Sequence, residues 1–317
     1  EDEVFWKKTG SKIAWKTLII TTLSLIMSFG SWFMMSVIAV KLPGLGFPFS
    51  KDQLFWLVAI PGLAAGFLRI IHTFILPIFG TRHVVTVATL LKLIPAIGVG
   101  FAVMDTNTPF WVFVLLAFAT GFGGGDFSSF MPSTSLFFPK RLKGTALGIQ
   151  AGIGNFGVSL AQFVTPLILS VSIYGASSVF TSIDAKETQN VFIDSTIGKQ
   201  KEVFAALDTK AQNNILANVK KPVLDSVIAA TGSNENVEIF AALPQKVKSK
   251  AIANANPKLA ERIINNISPD NEAVKNINIY IQSAAFWYSG FLLGLALVSW
   301  LFLRSIPMQA SIKEQMD

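Results

Sequence analysis

Residues 144–173 read GTALGIQAGIGNFGVSLAQFVTPLILSVSI, a stretch that contains no charged side chain. Inside it, residues 152–157 satisfy the pattern G-x-G-x-x-G, which is typical of a dinucleotide-binding turn between a strand and a helix. No strand-like segment precedes the pattern, and an apolar run of about 18 residues or more is typical of a membrane-spanning helix. The stretch therefore predicts a membrane helix whose glycines allow neighbouring helices to pack closely, and it predicts no NAD site.

The composition of the whole chain also indicates a membrane protein. Apolar residues make up 51% of the chain and charged residues 14%, with a mean hydropathy of +0.53, whereas a soluble domain has about 25% charged residues. The apolar residues lie in long blocks that are separated by short turn-forming stretches. We predict an all-α membrane protein with six spans, at residues 17–40, 53–79, 84–103, 109–137, 144–173 and 283–303.

The positive charges predict how these spans are oriented. Only Lys41 and Lys51 fall in the short loops on the side opposite the N-terminus. This bias is typical of the positive-inside rule, and it explains the net charge of +7 without nucleic-acid binding. We therefore expect a multi-pass protein of the bacterial inner membrane with both termini in the cytoplasm. The cationic residues on the inner side are Lys7, Lys8, Lys12, Lys16, Arg82, Lys140, Arg141, Lys143, Arg304 and Lys313.

Residues 175–280 differ from the rest of the chain because they are polar, with 12 Lys or Arg against 11 Asp or Glu. We expect them to form a helical, periplasmic insertion between spans 1–5 (residues 1–174) and span 6 with its cytoplasmic tail (residues 281–317). The insertion contains a two-copy repeat of about 36 residues, which predicts two helical hairpins and a surface for a partner. Residues 202–207, EVFAAL, return as residues 238–243, EIFAAL, and Lys210 and Asn218 match Lys246 and Asn254.

Arg69 lies near the middle of the second predicted span, where a charge is costly and therefore informative. Gly62, Gly66, His72 and Thr73 share its helical face. A guanidinium does not deprotonate in proteins, so its burial requires an anion. That anion is either a carboxylate of the chain, in an ion pair that fixes helix packing, or a small planar oxyanion that accepts two parallel hydrogen bonds.

Lys92 and Asp126 are the other charges at mid-span depth, in the third and fourth spans. An Arg69–Asp126 pair favours a packing role for the arginine, whereas a Lys92–Asp126 pair leaves the arginine available to a substrate. Asp126 is also a candidate for proton uptake that couples transport to a proton gradient. His72 is either a hydrogen-bonded residue that lines a pore or part of a proton relay.

The residue types exclude several other functions. Two His and no Cys give no metal site, and the lack of Cys excludes disulfides and thiol chemistry. The sequence contains no Ser-His-Asp set and no phosphate-binding loop, so we expect no enzyme, no catalytic residue and no cofactor. Asn155, at mid-depth in the fifth span, is either a ligand that donates hydrogen bonds to an oxyanion or a link between helices.

The fourth and fifth spans with their connecting loop, GFGGGDFSSFMPSTSLFFPKRLKGTALGIQAGIGNFGVS at residues 121–159, resemble the signature region of the nitrate/nitrite porter family of the major facilitator superfamily. The glycine-rich fifth span after FFPK is the most specific part of this resemblance. The resemblance covers residues 5–174 and, more weakly, residues 283–305. Its other parts are FWKKTGSKIAWKTL at residues 5–18, residues 42–70 and the PIFGTR turn at residues 77–82.

The resemblance implies a twelve-helix antiporter or symporter, of which this chain would be the N-terminal six-helix bundle. Nitrate or nitrite would lie at the midplane between two arginines, one from each half. Arg69 matches the N-terminal arginine, Phe127 the aromatic residue that stacks against the anion, and Asn155 the signature asparagine. Gly124 and Gly154 complete the set of substrate-binding residues that the resemblance implies.

Three features depart from the pattern of this family. Asp126 stands where the family usually has Asn, which bears on the electrostatics and the coupling of the site. The insertion at residues 175–280 is much longer than the usual connection. The chain contains six predicted spans, so we expect it to pair with a C-terminal six-helix half, in the same longer protein or in a separate chain, or to self-associate.

Our leading hypothesis is that the chain is the N-terminal half of a nitrate/nitrite carrier that works by alternating access in a lipid bilayer. A carrier of another small anion is one alternative, because guanidinium geometry does not separate nitrate from formate or chloride. A non-transporting membrane module that senses or scaffolds through its periplasmic insertion is the other alternative.

Overall fold

The computed structural model describes residues 3–305, and in it the chain forms two compact units. The membrane unit contains the residues up to Val40, residues Phe49–Ser177 and the residues from Ile279 onward. The insertion unit contains Lys41–Pro48 and Ser178–Asn278. The predicted cytoplasmic tail beyond residue 305 lies outside the described residues.

Within residues 3–305, the structure contains seventeen α-helices, one π-helical turn and two strands. In chain order they are α1 (Glu3–Phe5), the π-helical turn (Trp6–Gly10), α2 (Ser11–Ala39), α3 (Leu42–Leu45), α4 (Lys51–Leu91), α5 (Leu93–Ala102), α6 (Phe110–Thr120), α7 (Phe122–Gly125), α8 (Phe127–Ser135), α9 (Lys140–Ile168), β1 (Ser178–Ile183), α10 (Ala185–Asp194), α11 (Ile197–Ala205), α12 (Thr209–Leu216), α13 (Lys221–Thr231), α14 (Asn236–Ala242), α15 (Gln245–Ala253), α16 (Pro257–Ile267), β2 (Val274–Ile279) and α17 (Ile281–Phe302).

The membrane unit is built from long apolar helical stretches. Five stretches within residues 3–305 are long and apolar enough to cross a membrane. The second of them, Lys51–Ala102, has 52 residues, or roughly 78 Å of helix, whereas a bilayer core is about 30 Å thick. It is broken at Gly80, whose φ of 72° and ψ of 166° are not helical, in the turn that the sequence predicts between the second and third spans. The count of six spans stays a prediction that this break favours.

Helix α9 contains the glycine pattern of residues 152–157, and no strand precedes it. One stripe of α9 is buried, at Ala146, Gln150, Gly154, Gly157, Ala161, Thr165 and Ile168. A Cβ atom added to Gly157 would strike the carbonyl oxygen of Ile26 in α2, and one added to Gly154 would lie 2.5 Å from Leu25 Cδ2. These glycines therefore serve close helix packing, as expected for helices in lipid.

A second glycine cluster, residues 121–125, brings the α6–α7–α8 segment against α2 and α4. A Cβ atom on Gly121 would lie 2.5 Å from the Cβ of Ala64, and one on Gly123 would strike the carbonyl oxygen of Ser28. The backbone angles of Gly121 and Asp126, the residues between α6, α7 and α8, stay in the helical region, so the three helices form one continuous stretch. Small residues thus allow this stretch to be buried in the middle of the membrane unit.

The insertion unit is a run of seven short helices, α10 to α16, between two paired strands. Helix N-caps fall at intervals of 12 residues at Asp184, Thr196, Asp208 and Lys220, and again at Pro244 and Asn256. Helix α14, whose N-cap is Glu235, departs from this spacing. The 36-residue repeat therefore contains three helices per copy, and the expectation of two helical hairpins is corrected. Because the turns between these helices are short, each 36-residue copy has room for three helices and not only the two of a hairpin.

Each 12-residue segment contributes an apolar pair to a single core. The pairs are Val191–Phe192, Val203–Phe204, Ile215–Leu216, Val227–Ile228, Ile239–Phe240, Ala251–Ile252 and Ile263–Ile264. Phe204 and Phe240, which are equivalent in the two sequence copies, stack with their ring centroids 3.9 Å apart and their planes 2° apart. Aromatic contacts of this kind stabilise a core by about 1 kcal/mol beyond the burial of their area.

A polar side chain four residues after the N-cap links neighbouring helices of the insertion unit. Gln200 Nε2 donates to the carbonyl oxygen of Phe192 at 2.7 Å, and Gln212 Nε2 donates to that of Leu207 at 3.0 Å. Lys248 holds the equivalent position in a later segment and donates to the carbonyl oxygen of Ala241 at 2.7 Å. These donors satisfy carbonyl groups at the C-terminal end of the preceding helix, which have no partner within that helix.

The loop between the first two predicted spans is also part of the insertion unit. Phe47 is fully buried there, and its carbonyl oxygen accepts a hydrogen bond from Asn256 Nδ2 at 3.1 Å. Gly44 lies so close to Phe180 and Thr181 that no Cβ atom fits at this position. The insertion unit therefore includes Lys41–Pro48 in addition to most of the predicted residues 175–280, because this loop packs against β1 and Asn256.

We predict that Lys248→Gln stabilises the insertion unit by about 1 kcal/mol, because it keeps a donor to the preceding helix and removes a desolvated charge. Lys248 is 3% exposed, and burial lowers the pKa of its ammonium group from the ordinary 10.5. The unfolded chain thus binds this proton more tightly than the folded chain, and the cost is fully present at neutral pH. The advantage of the variant should shrink as pH rises towards 10.5.

Hydrogen exchange of residues 240–255 in the full chain measures this effect. Lys246→Gln is the matched control, because Lys246 is exposed on the same helix and the change in net charge is the same. Slower exchange in the Lys248 variant alone is the expected result, and equal or faster exchange would contradict it.

We predict that Gly123→Ala destabilises the membrane unit by about 1–3 kcal/mol, because the added methyl group meets the backbone of Ser28 and neither backbone is free to move. Gly148→Ala is the control, since Gly148 has no atom within 4 Å of the new Cβ position. Melting of both variants in detergent provides the measurement. Equal melting temperatures would show that the close approach of α7 and α2 is unimportant.

Candidate anion-binding site

Arg69 projects from the middle of α4 and is held by two contacts with the helical segment α7–α8. Its Nε donates to the carbonyl oxygen of Gly124 at 3.0 Å. Its Cζ lies 5.6 Å from the ring centroid of Phe127, within the range of a cation–π contact. The guanidinium thus keeps a fixed plane while one edge of its hydrogen-bonding fork is used by the backbone.

Phe127 is itself supported from α2. Its ring stacks on that of Phe29 with centroids 6.2 Å apart and planes 15° apart, and Phe29 is buried. Trp32, one helical turn further along α2, packs on Phe29 at 5.8 Å and borders Gly124. An aromatic layer therefore lies beneath Arg69, and the sequence alone gave no reason to choose Phe29 or Trp32.

The two terminal NH₂ groups of Arg69 have no partner among residues 3–305, and none of the ion pairs in this range includes Arg69. The side chain is exposed. On the preceding two turns of the same helical face, Gly62 and Gly66 have no atom within 4 Å of an added Cβ. Arg69 therefore presents an unpaired positive charge to open space beside two glycines.

Asp126 pairs with Lys92 and not with Arg69. Both side chains are fully buried, and the lysine ammonium donates to Asp126 Oδ2. Ser28 Oγ donates to the same oxygen at 2.6 Å. Of the alternatives that the sequence leaves open, the structure contains the pair that leaves Arg69 without a carboxylate.

His72 lies on the far side of the same carboxylate. Its Nδ1 is 2.9 Å from Ser129 Oγ and 3.7 Å from Asp126 Oδ1, and the side chain is buried. Asp126 Oδ1 has no hydrogen-bond partner among residues 3–305. His72 thus belongs to the buried polar cluster of Lys92 and Asp126. Ser28 and Ser129, which complete this cluster, are not distinguished by any sequence pattern.

Gly154 and Asn155 of α9 differ in burial, because Gly154 faces a neighbouring helix and Asn155 does not. Gly154 is buried against Leu25, so it acts in packing between α9 and α2. Asn155 is exposed, and its Nδ2 donates to the carbonyl oxygen of Ala151 in its own helix at 2.8 Å. Arg69, Phe127 and Gly124 are therefore brought together by direct contacts, whereas Asn155 and Gly154 have no contact with Arg69 in the described structure.

The arrangement is suited to binding a small anion. A guanidinium fork with a free edge, oriented by a carbonyl oxygen and an aromatic ring, binds planar oxyanions through parallel hydrogen bonds. The neighbouring lysine does not compete for that anion, because Asp126 neutralises it.

Comparisons with known proteins find relatives that are named as nitrate/nitrite transporters and antiporters. No family model matches the chain. It is 61% identical over 170 residues to the probable nitrate/nitrite antiporter NarK2 of Thermus thermophilus, covering 54% of this chain and 38% of that protein. It is 41% identical over 174 residues to the nitrate/nitrite transporter NarU of Escherichia coli K12, covering 55% and 38%, respectively. The probable nitrate/nitrite antiporter NarK1 of Thermus thermophilus is 33% identical over 155 residues, covering 49% and 33%.

The chain therefore spans well under half the length of these curated relatives. The similarity agrees with a multi-pass membrane protein whose long helices are apolar. Over the matched residues, the chain is thus similar to proteins named as nitrate/nitrite transporters and antiporters, in agreement with the resemblance of residues 5–174 to the nitrate/nitrite porter family.

Proposed function

We propose that the chain is one half of a nitrate/nitrite carrier and that Arg69 binds the transported anion at the middle of the membrane. One observation carries this proposal: Arg69 is oriented by Gly124 and Phe127 but lacks a carboxylate partner in the described structure. The relatives are named as nitrate or nitrite transporters and antiporters, which supports a carrier over a sensing or scaffolding module.

The chemistry of the anion fits this site. Nitrate and nitrite are small, planar and weakly hydrated, so leaving water costs them less free energy than it costs a strongly hydrated anion. Their oxygens accept the two hydrogen bonds that the free edge of the Arg69 fork offers. Phe127 lies under the guanidinium, where its ring gives a flat surface for a flat ligand. Gly62 and Gly66 leave room on the approach to the charge.

The expected affinity of this half alone is low. An anion about 4 Å from a guanidinium gains about 4 kcal/mol at an effective dielectric constant near 20, which corresponds to a Kd of about 1 mM. A second arginine from another half would strengthen binding and close the site. We therefore propose that transport requires a C-terminal six-helix half.

Open helix faces support such a partner. On α9, Gly144, Gly148 and Gly152 have no atom within 4 Å of an added Cβ, and Phe156 next to them is 58% exposed. On α4, Phe67 is 59% exposed beside Gly66. Small residues spaced by four let a second helix approach closely in lipid. The proposed second half would cover both faces and enclose Arg69 between them.

We also propose that both termini lie in the cytoplasm of a bacterial cell and that the insertion unit lies in the periplasm. The distribution of Lys and Arg in the short loops supports this orientation in the inner membrane. A role of Asp126, Lys92 and His72 in coupling transport to a proton gradient stays a hypothesis.

The direct test of the function is exchange of nitrate for nitrite in proteoliposomes. We expect little flux with this chain alone and rapid flux when the C-terminal half is present. Nitrate binding to the purified chain without any flux in either preparation would favour a non-transporting module. Flux of chloride or formate at the same rate would identify a carrier of small anions in general.

We predict that Arg69→Lys weakens nitrate binding at least about tenfold, because an ammonium keeps the charge but loses the planar, bidentate fork. The measurement is the nitrate concentration that gives half of the nitrate-induced rise in melting temperature, at constant ionic strength. Arg82→Lys is the matched control, since Arg82 lies on the same helix but contacts Trp300, 4.4 Å from its ring centroid. Unchanged nitrate affinity in Arg69→Lys would exclude the substrate role.

The orientation is testable because the chain has no Cys, so that single cysteines can be introduced without a background. In intact cells, a membrane-impermeant maleimide should label Ser226→Cys in the insertion unit and should not label Arg141→Cys, both of which are exposed positions. After the membrane is opened, both should react. Labelling of Arg141→Cys in intact cells would reverse the proposed orientation.

A further inference from the structure

The Lys92–Asp126 ion pair joins two long apolar helical stretches, and both residues have helical backbone angles. Lys92 stands between α4 and α5, and Asp126 stands between α7 and α8. Both side chains are fully buried, and they contact each other directly. A buried ion pair loses much of its attraction to desolvation, so the presence of one here calls for a reason other than stability.

The two carboxylate oxygens of Asp126 face groups from α2 and from the helical stretch of α4 and α5. Oδ2 accepts hydrogen bonds from Lys92 and from Ser28 of α2, and Lys92 Nζ also donates to Ser28 Oγ at 2.8 Å. Oδ1 faces His72 of α4 at 3.7 Å, and His72 in turn contacts Ser129 of α8. The carboxylate is thus held through Oδ2 by Ser28 and Lys92.

The same short segment carries both contacts of Arg69. Gly124, whose carbonyl oxygen accepts from Arg69 Nε, is two residues before Asp126, and Phe127 is the next residue after it. This segment has little freedom, because a Cβ on Gly124 would lie 2.5 Å from the Cβ of Ala65 and one on Gly125 3.0 Å from that of Leu68. A displacement of Asp126 therefore moves the carbonyl group and the ring that orient Arg69.

We propose that the Lys92–Asp126 ion pair is a positioning element that holds Arg69 in the geometry for anion binding, without touching the anion itself. This inference rests on the proposed function of Arg69. The pair acts in two ways: it fixes residues 124–127, and it cancels the charge of Lys92, so that the net positive charge among these mid-membrane groups stays on Arg69.

The test measures nitrate binding to the full chain in Asp126→Asn, in Lys92→Met and in the double variant Lys92→Gln/Asp126→Asn. Each single change leaves one buried charge without its partner, and the segment around Gly124 must rearrange to accommodate it. We expect both single variants to weaken nitrate binding about tenfold or more, since small misplacements of a binding group cost affinity. The double variant retains a neutral hydrogen-bonded pair and should bind within about threefold of the wild type.

Tyr288→Phe is the control for stability alone. It removes a buried hydrogen bond to Thr165, 3.1 Å away, which lies outside the Arg69 contacts. We expect this variant to melt at a lower temperature and to keep the nitrate affinity of the wild type. Affinity is read from the nitrate concentration at half effect and not from the melting temperature itself, so that a loss of stability is not mistaken for a loss of binding.

The outcomes separate this inference from the proposed function. If the wild type binds nitrate and both single variants bind equally well, the positioning role is overturned and the carrier proposal stands. If the wild type does not bind nitrate, the proposed function fails and the inference fails with it. If the single variants do not fold, the double variant decides: folded protein without nitrate affinity would overturn the positioning role, and affinity near the wild type would support it.

Discussion

A permanent positive charge inside an apolar unit is the constraint on which the rest of this structure depends. The guanidinium of Arg69 cannot lose its proton, and the described residues offer it no carboxylate. The neighbouring groups contact this unneutralised charge. The carbonyl oxygen of Gly124 and the ring of Phe127 give the charge a direction and a partial compensation without neutralising it. We propose that a ligand with one negative charge completes this arrangement.

The mid-membrane charges of this unit differ in their pairing. Lys92 and Asp126 pair with each other in full burial, while Arg69 is exposed and unpaired within residues 3–305. Close packing contributes to this difference, because glycines at positions 121–125 let their helix lie directly on α2 and α4. The polar side chains of Ser28, Ser129 and His72 surround the carboxylate of Asp126. Residues 121–127 therefore determine both the close packing of the helices and the surroundings of Arg69.

The sequence predicted the features that depend on composition and periodicity. Apolar blocks, the turn at Gly80 and the three mid-span charges follow from hydropathy and spacing. The pairing of Lys92 with Asp126 could not be predicted in this way, because it depends on how the two helices are rotated relative to each other. For the same reason, the sequence does not predict that the side chain of Asn155, a polar residue at mid-depth, donates a hydrogen bond to a carbonyl oxygen of its own helix. The repeat was visible, but its division into three helices depends on turns that carry no strong signal.

The packing of the connection before α4 within the insertion unit has a consequence for how the protein tolerates change. Leu42, Leu45 and Phe47 are buried within this unit, although they belong to the short connection before α4. Removal of residues 178–278 would take away the residues against which this connection packs and would leave these apolar side chains uncovered. The insertion is thus not a detachable appendage, because the connection before α4 depends on it to bury its apolar side chains.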